Sequence, residues 1–295
     1  MNIQNIRLWT AIVTPFTADT SGVDYASFEK LLRLQEEAGN GIVLLGSTGE
    51  GLALNDKERE ELVDFACSLK LRVPLMVGTP TYNYEAASNW IKSCRTKNIH
   101  AFLIVTPLYS KPGVCGQYHF YKNLLDLAER PCVLYNIPSR TGVELHRDSL
   151  DGLRGHKNLW AIKESSGSME TVHMLRRDFA EISLFCGDDN LFPDFVTHGS
   201  CALVSVAANV WPRACARFVS DVLNKKPTLD FEIWWDVCKS LYCATNPIPT
   251  KHLMQVQGQI SHSTVRLPLS IEDIKSDVGL MHAHDIISKW ERSLV

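Results

Sequence analysis

A parallel (β/α)8 barrel with a C-terminal helical extension is the fold class that this 295-residue sequence predicts. Eight short apolar runs recur at near-regular intervals, at residues 9–14, 41–46, 74–78, 101–106, 132–135, 159–163, 183–187 and 202–206. They are continuous rather than alternating, as parallel strands covered on both faces must be. Helical patterns separate them, and the GxGxxG phosphate loop of an open doubly wound sheet is absent. Eight alternations within about 220 residues suit the closed TIM-barrel arrangement better than the open sheet.

The elements follow in order. Behind the first run, Phe28, Leu31, Leu32 and Gln35 repeat at helical spacing after Asp24, and Gly39-Asn40-Gly41 supplies the stop. Behind the second, Asn55-Asp56-Lys57-Glu58 reads as a capping box, with Asn55 as N-cap and Glu58 at the third helical position. The remaining runs continue the alternation to about residue 226, where the strand pattern ends. Residues 231–241 then read as an amphipathic helix, a second helix follows Pro249, and residues 271–294 add one or two more. The expected organisation is a barrel over residues 1–225, with its active site at the strand C-terminal ends, and a helical region over 226–295.

Composition removes several function classes. A net charge of −3, spread along the chain, leaves no basic block for nucleic acid and no acidic tail for a charge-driven partner. Apolar runs such as 41–46 and 101–105 are far too short to span a bilayer. The first five residues lack the basic and apolar segments of a secretory signal, so cytoplasmic residence is expected. Nine cysteines without a CxxC pair argue against a disulfide framework or a structural zinc site, and read as small buried apolar residues in a reducing compartment. His282-Ala283-His284-Asp285 resembles a ligand cluster, but its histidines fall on different faces of a helical pattern, and no metal is expected there.

Lys163 carries the most chemical information. It ends the run Leu159-Trp160-Ala161-Ile162 and precedes Glu164-Ser165-Ser166-Gly167. Desolvation at the end of a buried strand penalises an ammonium, and a lysine driven toward the neutral amine attacks carbonyls to form a Schiff base. Alone, the segment fits a lysine that snorkels to water better. The other strand ends reverse that balance, because they gather Ser47, Thr48 and Glu50, then Tyr109, then Tyr135 and Arg140, then Gly187, Asp188 and Asp189. Each has a bland reading: a capping hydroxyl, a core tyrosine, a surface ion pair. Together they compose an amine nucleophile with a proton relay and an anion clamp.

The segments GSTGE (46–50), YNIPSRTG (135–142) and IKESSG (162–167), in this order, resemble the pyruvate-dependent aldolase and lyase superfamily of class I Schiff-base barrels. The resemblance covers nearly the whole chain, including residues 246–249 and 265–269. Within the superfamily the chain is most similar to the dihydrodipicolinate synthase family, through Arg140 in the Ser-Arg-Thr-Gly turn. Ser47 leans the other way, toward the N-acetylneuraminate lyases, where the synthases usually carry threonine.

The resemblance implies that Lys163 forms an imine with the keto carbon of pyruvate and that Tyr135 transfers protons. Thr48 would be the middle of the relay and Tyr109 its far end, reaching in from a neighbouring subunit of a dimer or tetramer. It further implies that Ser47 and Thr48 hold the pyruvate carboxylate and that Arg140 binds the carboxylate of L-aspartate 4-semialdehyde. Main-chain atoms near Gly187 and Val204 would orient the keto acid. No metal or diffusible cofactor is implied, since the lysine imine supplies the electron sink. The rival readings are N-acetylneuraminate lyase, another pyruvate aldolase, or a barrel that binds a keto acid without catalysis.

Many members of the family bind lysine at an interface pocket. Here the corresponding stretch reads Gly51-Leu52-Ala53-Leu54-Asn55-Asp56-Lys57-Glu58-Arg59, the loop 79–85 is one residue short although Glu85 is retained, and Leu108 replaces the first of two tyrosines. A ligand ammonium loses polar and cation–π partners, and Lys57 or Arg59 would repel it. Weak or absent lysine feedback is expected.

Overall fold

The computed structural model describes residues 3–79 and 83–293. Eight strands close into a barrel in sequence order: β1 (Leu8–Ala11), β2 (Gly41–Leu44), β3 (Leu75–Gly78), β4 (Ala101–Val105), β5 (Cys132–Asn136), β6 (Leu159–Glu164), β7 (Ser183–Cys186) and β8 (Ala202–Ser205). All neighbours are parallel, and β8 closes on β1 through the pairs Leu8↔Leu203 and Trp9↔Val204.

Every expected strand is present, with shifted ends. β1 ends at Ala11; Ile12 N still donates to Val43 O at 3.1 Å, but beyond it Val13 N turns to Asn209 Oδ1 at 3.0 Å and the Thr14 hydroxyl donates to Gly49 O at 2.7 Å. β2 stops at Leu44, since Leu45 turns to φ +59°. β5 and β6 each run one residue further than expected, to Asn136 and Glu164.

The helices are α1 (Tyr25–Ala38), α2 (Asp56–Ser68), α3 (Tyr84–Cys94), α4 (Val114–Ala128), α5 (Pro138–Thr141), α6 (Arg147–Gly152), α7 (Met169–Asp178), α8 (Phe192–Thr197), α9 (Pro212–Leu223), α10 (Phe231–Ser240), α11 (Ile248–Val256) and α12 (Val278–Ser293). Local chemistry sets their ends. Asp24 caps α1 by accepting from Ser27 N, and Gly39 ends it at φ +74°. The Asn55/Glu58 capping box opens α2, with both reciprocal bonds at 3.0 Å. α11 begins at Ile248, so Pro249 lies inside its first turn, where a missing N–H is harmless. The expected helix over 271–294 is a 3-10 turn, Ile271–Asp273, followed by α12; residue 294 lies outside the described residues.

Two cores result. One lies between the sheet and its helices. The other fills the barrel, built by alternate residues such as Trp9 and Ala11, Val133 and Tyr135, Ala161 and Phe185. Trp9 fits inside because its strand neighbour is Gly41, where a Cβ would meet the indole at 2.5 Å. Trp9, Trp160 and Phe185 pack edge to face across this lower interior.

The cysteines depart from expectation. All nine are free, but only Cys94, Cys132, Cys186, Cys215 and Cys238 are buried, while Cys115 and Cys243 are exposed at helix surfaces and loops. No cluster of metal-ligating side chains exists among the described residues, and His284 is bonded to Trp211 Nε1 and Gln257 Nε2.

Candidate active site

Period-two alternation decides what enters the barrel. In β6, Ala161 faces the interior, so Lys163 does too. In β5 the same argument turns Val133 and Tyr135 inward, and the register pairs Tyr135 directly with Lys163. The outcome is close: Lys163 Nζ lies 3.8 Å from the centroid of the Tyr135 ring, with Lys163 only 5% exposed. Tyr135 is itself fixed from behind, because its carbonyl accepts from both N and Oγ1 of Thr106 at 3.0 Å, and Tyr121 OH donates to Thr106 Oγ1 at 3.0 Å.

Gly187 follows the end of β7 beside Lys163. A Cβ there would lie 2.5 Å from Lys163 Cε and 1.9 Å from Ser165 Oγ, so glycine is the residue that lets this side-chain pair converge. One step beyond the Cys186↔Leu203 pair, Gly187 and Val204 occupy neighbouring positions, and the Val204 side chain is buried in the barrel interior. Burial raises three carboxylates nearby. Asp188 is pushed up to about 6, opposed by the charge of Lys163. Glu164 is raised by burial against hydrogen bonds from Asn136 Nδ2 at 2.7 Å and Ser166 N at 2.5 Å. Asp189 is raised by burial while accepting from Ser205 Oγ, from Val206 N at 2.8 Å and from Ala207 N at 3.2 Å.

A cavity of about 400 Å³ opens at the C-terminal end of the barrel, lined by Ser47, Leu108, Tyr135, Arg140 and Asn246 among others. Lys163 is not part of its wall; Tyr135 touches both cavity and amine. Arg140 sits on the one-turn helix α5, and its Nη2 donates to Asn246 O at 3.3 Å. Asn246 Nδ2 donates to the buried Thr48 Oγ1 at 2.9 Å. Thus Lys163, Tyr135, Gly187 and Val204 gather in the barrel, while Ser47, Thr48 and Arg140 gather around Asn246 above it. Tyr109 stands apart. It is 85% exposed, at φ +65°, and outside the cavity wall.

Sequence reasoning missed how the 46–50 loop is held. Glu50 is buried and pairs with Lys251 Nζ of α11 at 2.5 Å, and it accepts from Arg266 N at 3.0 Å. Lys251 also donates to Thr264 O at 2.9 Å and lies 4.2 Å from the Phe16 ring centroid. Burial holds its ammonium down to about 8, against the pull of Glu50. Arg266 forks onto Glu58 at 2.6 and 2.7 Å. Asn246, Lys251 and Arg266 lie some two hundred residues from the loop they fix, and no local periodicity marks them. Segments 246–249 and 265–269, which carry part of the family resemblance, are the nearest signal in the sequence.

Comparisons with known proteins converge on one family. The family model described as the Dihydrodipicolinate synthetase family matches residues 4–282. A 4-hydroxy-tetrahydrodipicolinate synthase of Wolbachia pipientis subsp. Culex pipiens is 45% identical over 96% of this chain and 97% of its own length. The solved structure of the 4-hydroxy-tetrahydrodipicolinate synthase of Methylacidiphilum fumariolicum SolV superposes with a TM-score of 0.89 at 30% identity, covering 97% of this chain and 98% of that one. A chloride-inhibited dihydrodipicolinate synthase of Acinetobacter baumannii, solved in complex with pyruvate, gives 0.87 at 29% identity over 97% and 99% of the two chains.

Proposed function

This chain belongs to the dihydrodipicolinate synthetase family, and we propose that it is an enzyme condensing pyruvate with L-aspartate 4-semialdehyde to 4-hydroxy-tetrahydrodipicolinate, on the route to diaminopimelate and lysine. The observation that carries the reading is the pairing of Lys163 with Tyr135 inside the barrel, beneath an arginine-lined cavity. Lys163 attacks the keto carbon. The protonated imine is an electron sink, so the pyruvate methyl loses a proton and becomes an enamine carbon that attacks the aldehyde. Tyr135, against the reacting amine, is the proton carrier, with Thr48 behind it and Tyr109 completing the relay from a second subunit. The exposure of Tyr109 in a single chain supports a dimer or tetramer, in which a neighbour's active site accounts for it. Ser47 and Thr48 hold the pyruvate carboxylate, and main chain at Gly187 and Val204 orients the keto acid. The biosynthetic role and nine free cysteines support residence in the cytoplasm. Among the described residues, no helix is long and apolar enough to cross a membrane.

The direct test is pyruvate consumption by the purified protein with and without L-aspartate 4-semialdehyde. Semialdehyde-dependent consumption supports the reading, and its absence refutes it. Arg140 supplies a sharper test. A guanidinium binds a planar carboxylate through two parallel bonds. Arg140→Ala therefore raises the KM for the semialdehyde by about tenfold or more, the equivalent of a lost charge-assisted bond, and leaves imine formation with pyruvate nearly intact. Equal loss in both steps removes Arg140 from this role.

Feedback by lysine is expected to be weak. Asp56, Arg59, Glu60, Asn83, Glu85, Asn89 and Trp90 line a pocket of about 440 Å³ in the relevant region, but Arg59 already pairs with Asp56 at 2.7 Å, so an incoming ammonium competes with a resident guanidinium. Residues 80–82 of the shortened loop lie outside the described residues. Inhibition by lysine is expected only at roughly millimolar concentration or above, and an inhibition constant in the micromolar range contradicts this.

A further inference from the structure

Ser165 is buried, and its Oγ has no hydrogen-bond partner among the described residues. Buried hydroxyls almost always find one, so an orphan at a reaction centre calls for a ligand atom. The backbone fixes where this hydroxyl points. Ser165 N donates to Asn136 O at 2.9 Å, and Ser165 continues the inward face of Ala161 and Lys163. Glu164 turns the other way, onto Asn136 and Ser166. Ser165 Oγ and Lys163 Cε converge over the bare Cα of Gly187, so the hydroxyl stands beside the stem of the nucleophile. No hydrogen bond among the described residues uses this oxygen.

We propose that the Ser165 hydroxyl binds the oxygen on C2 of pyruvate while Lys163 forms its imine, a role that rests on the reading of Lys163 as nucleophile. Pyruvate has two kinds of polar atom. Its carboxylate is taken by Ser47 and Thr48, which leaves the keto oxygen as the atom to be held beside Lys163, within reach of Ser165 as well as the proton carrier Tyr135. In the step, Nζ bonds to C2 and the C=O π pair moves to oxygen. Lys163 reacts as the neutral amine: one Nζ proton passes to that oxygen and Tyr135 supplies a second, the nitrogen lone pair forms C=N as the C–O bond breaks, and water leaves a protonated imine. The Ser165 O–H donates to the oxygen as its charge builds and then to the departing water, and is itself unchanged.

Ser165→Ala tests this in the full-length protein, by quenching pyruvate reactions with borohydride at timed intervals and reading the adduct on Lys163 by mass. The variant is expected to form the adduct about tenfold more slowly or worse, the loss of one transition-state hydrogen bond, yet to reach full labelling. Its KM for the semialdehyde stays near wild type, and its melting temperature does not fall, because the deleted oxygen had no partner. Wild-type labelling with an unchanged rate in Ser165→Ala overturns the Ser165 role and leaves the Lys163 reading standing. A slow variant that also melts lower overturns it too, by making the hydroxyl structural. Failure of the wild type to label at Lys163 overturns the parent reading and this one together.

Discussion

Lys163→Ala eliminates the pyruvate adduct that borohydride fixes on the wild-type chain, and lowers turnover by about four orders of magnitude or more, the scale seen when a covalent nucleophile is deleted. The argument is one of access as well as reactivity. Among the described residues only two lysines are buried, Lys163 and Lys251. Lys251 is held by Glu50 and Thr264 O, so it has no freedom to reach a carbonyl, whereas Lys163 makes no hydrogen bond or ion pair among the described residues and lies against the Tyr135 ring beside Gly187. The variant should fold, because truncation removes an amine that has no ion-pair partner within bonding distance among the described residues and leaves the barrel ladder intact. It should also let Asp188 rise further above its present value of about 6, since the one charge that pulls this carboxyl down is gone. An adduct of undiminished yield in Lys163→Ala would move the nucleophile elsewhere.

Lys251→Met lowers stability by about 3–5 kcal/mol, the usual cost of leaving one member of a buried ion pair alone. Methionine restores most of the side-chain length, so packing is nearly preserved, and the loss reports the stranded Glu50 carboxylate. Chemical denaturation measures it, and a loss below about 1 kcal/mol would show that water reaches Glu50 and that the pair is not a clamp. Adding Glu50→Gln should recover part of the loss, because a neutral amide tolerates burial better than a carboxylate. The pH dependence has a definite sign. Lys251 titrates at about 8 in the folded chain and at 10.5 when unperturbed. Between these values the unfolded chain holds a proton that the folded chain has released, so this group makes wild-type stability rise with pH across that window. Its penalty is fully present below about 8. Lys251→Met should lack that slope. The functional consequence is that loosening Glu50 frees the loop carrying Ser47 and Thr48, so pyruvate affinity should fall along with stability.

Much of this protein was legible in the chain. Continuous apolar runs gave all eight strands because a doubly covered parallel strand writes its burial into consecutive residues. Asn55 with Glu58, and Gly39 at its left-handed position, marked helix ends because capping is satisfied within a few residues. Lys163 stood out because a charged residue closing an apolar run conflicts with its surroundings. The burial of the cysteines was read too broadly, since position within an element, not residue type, decides exposure.

Barrel closure decided the rest. It set Tyr135 against Lys163 through strand register, brought Ser165 and Lys163 together over Gly187, and carried Asn246, Lys251 and Arg266 back to a loop near residue 48. Backbone pairing and side-chain periodicity are local, and a sequence displays them. Which side chains meet across the barrel depends on eight registers and a C-terminal return acting together, and that information exists only once the chain has closed on itself.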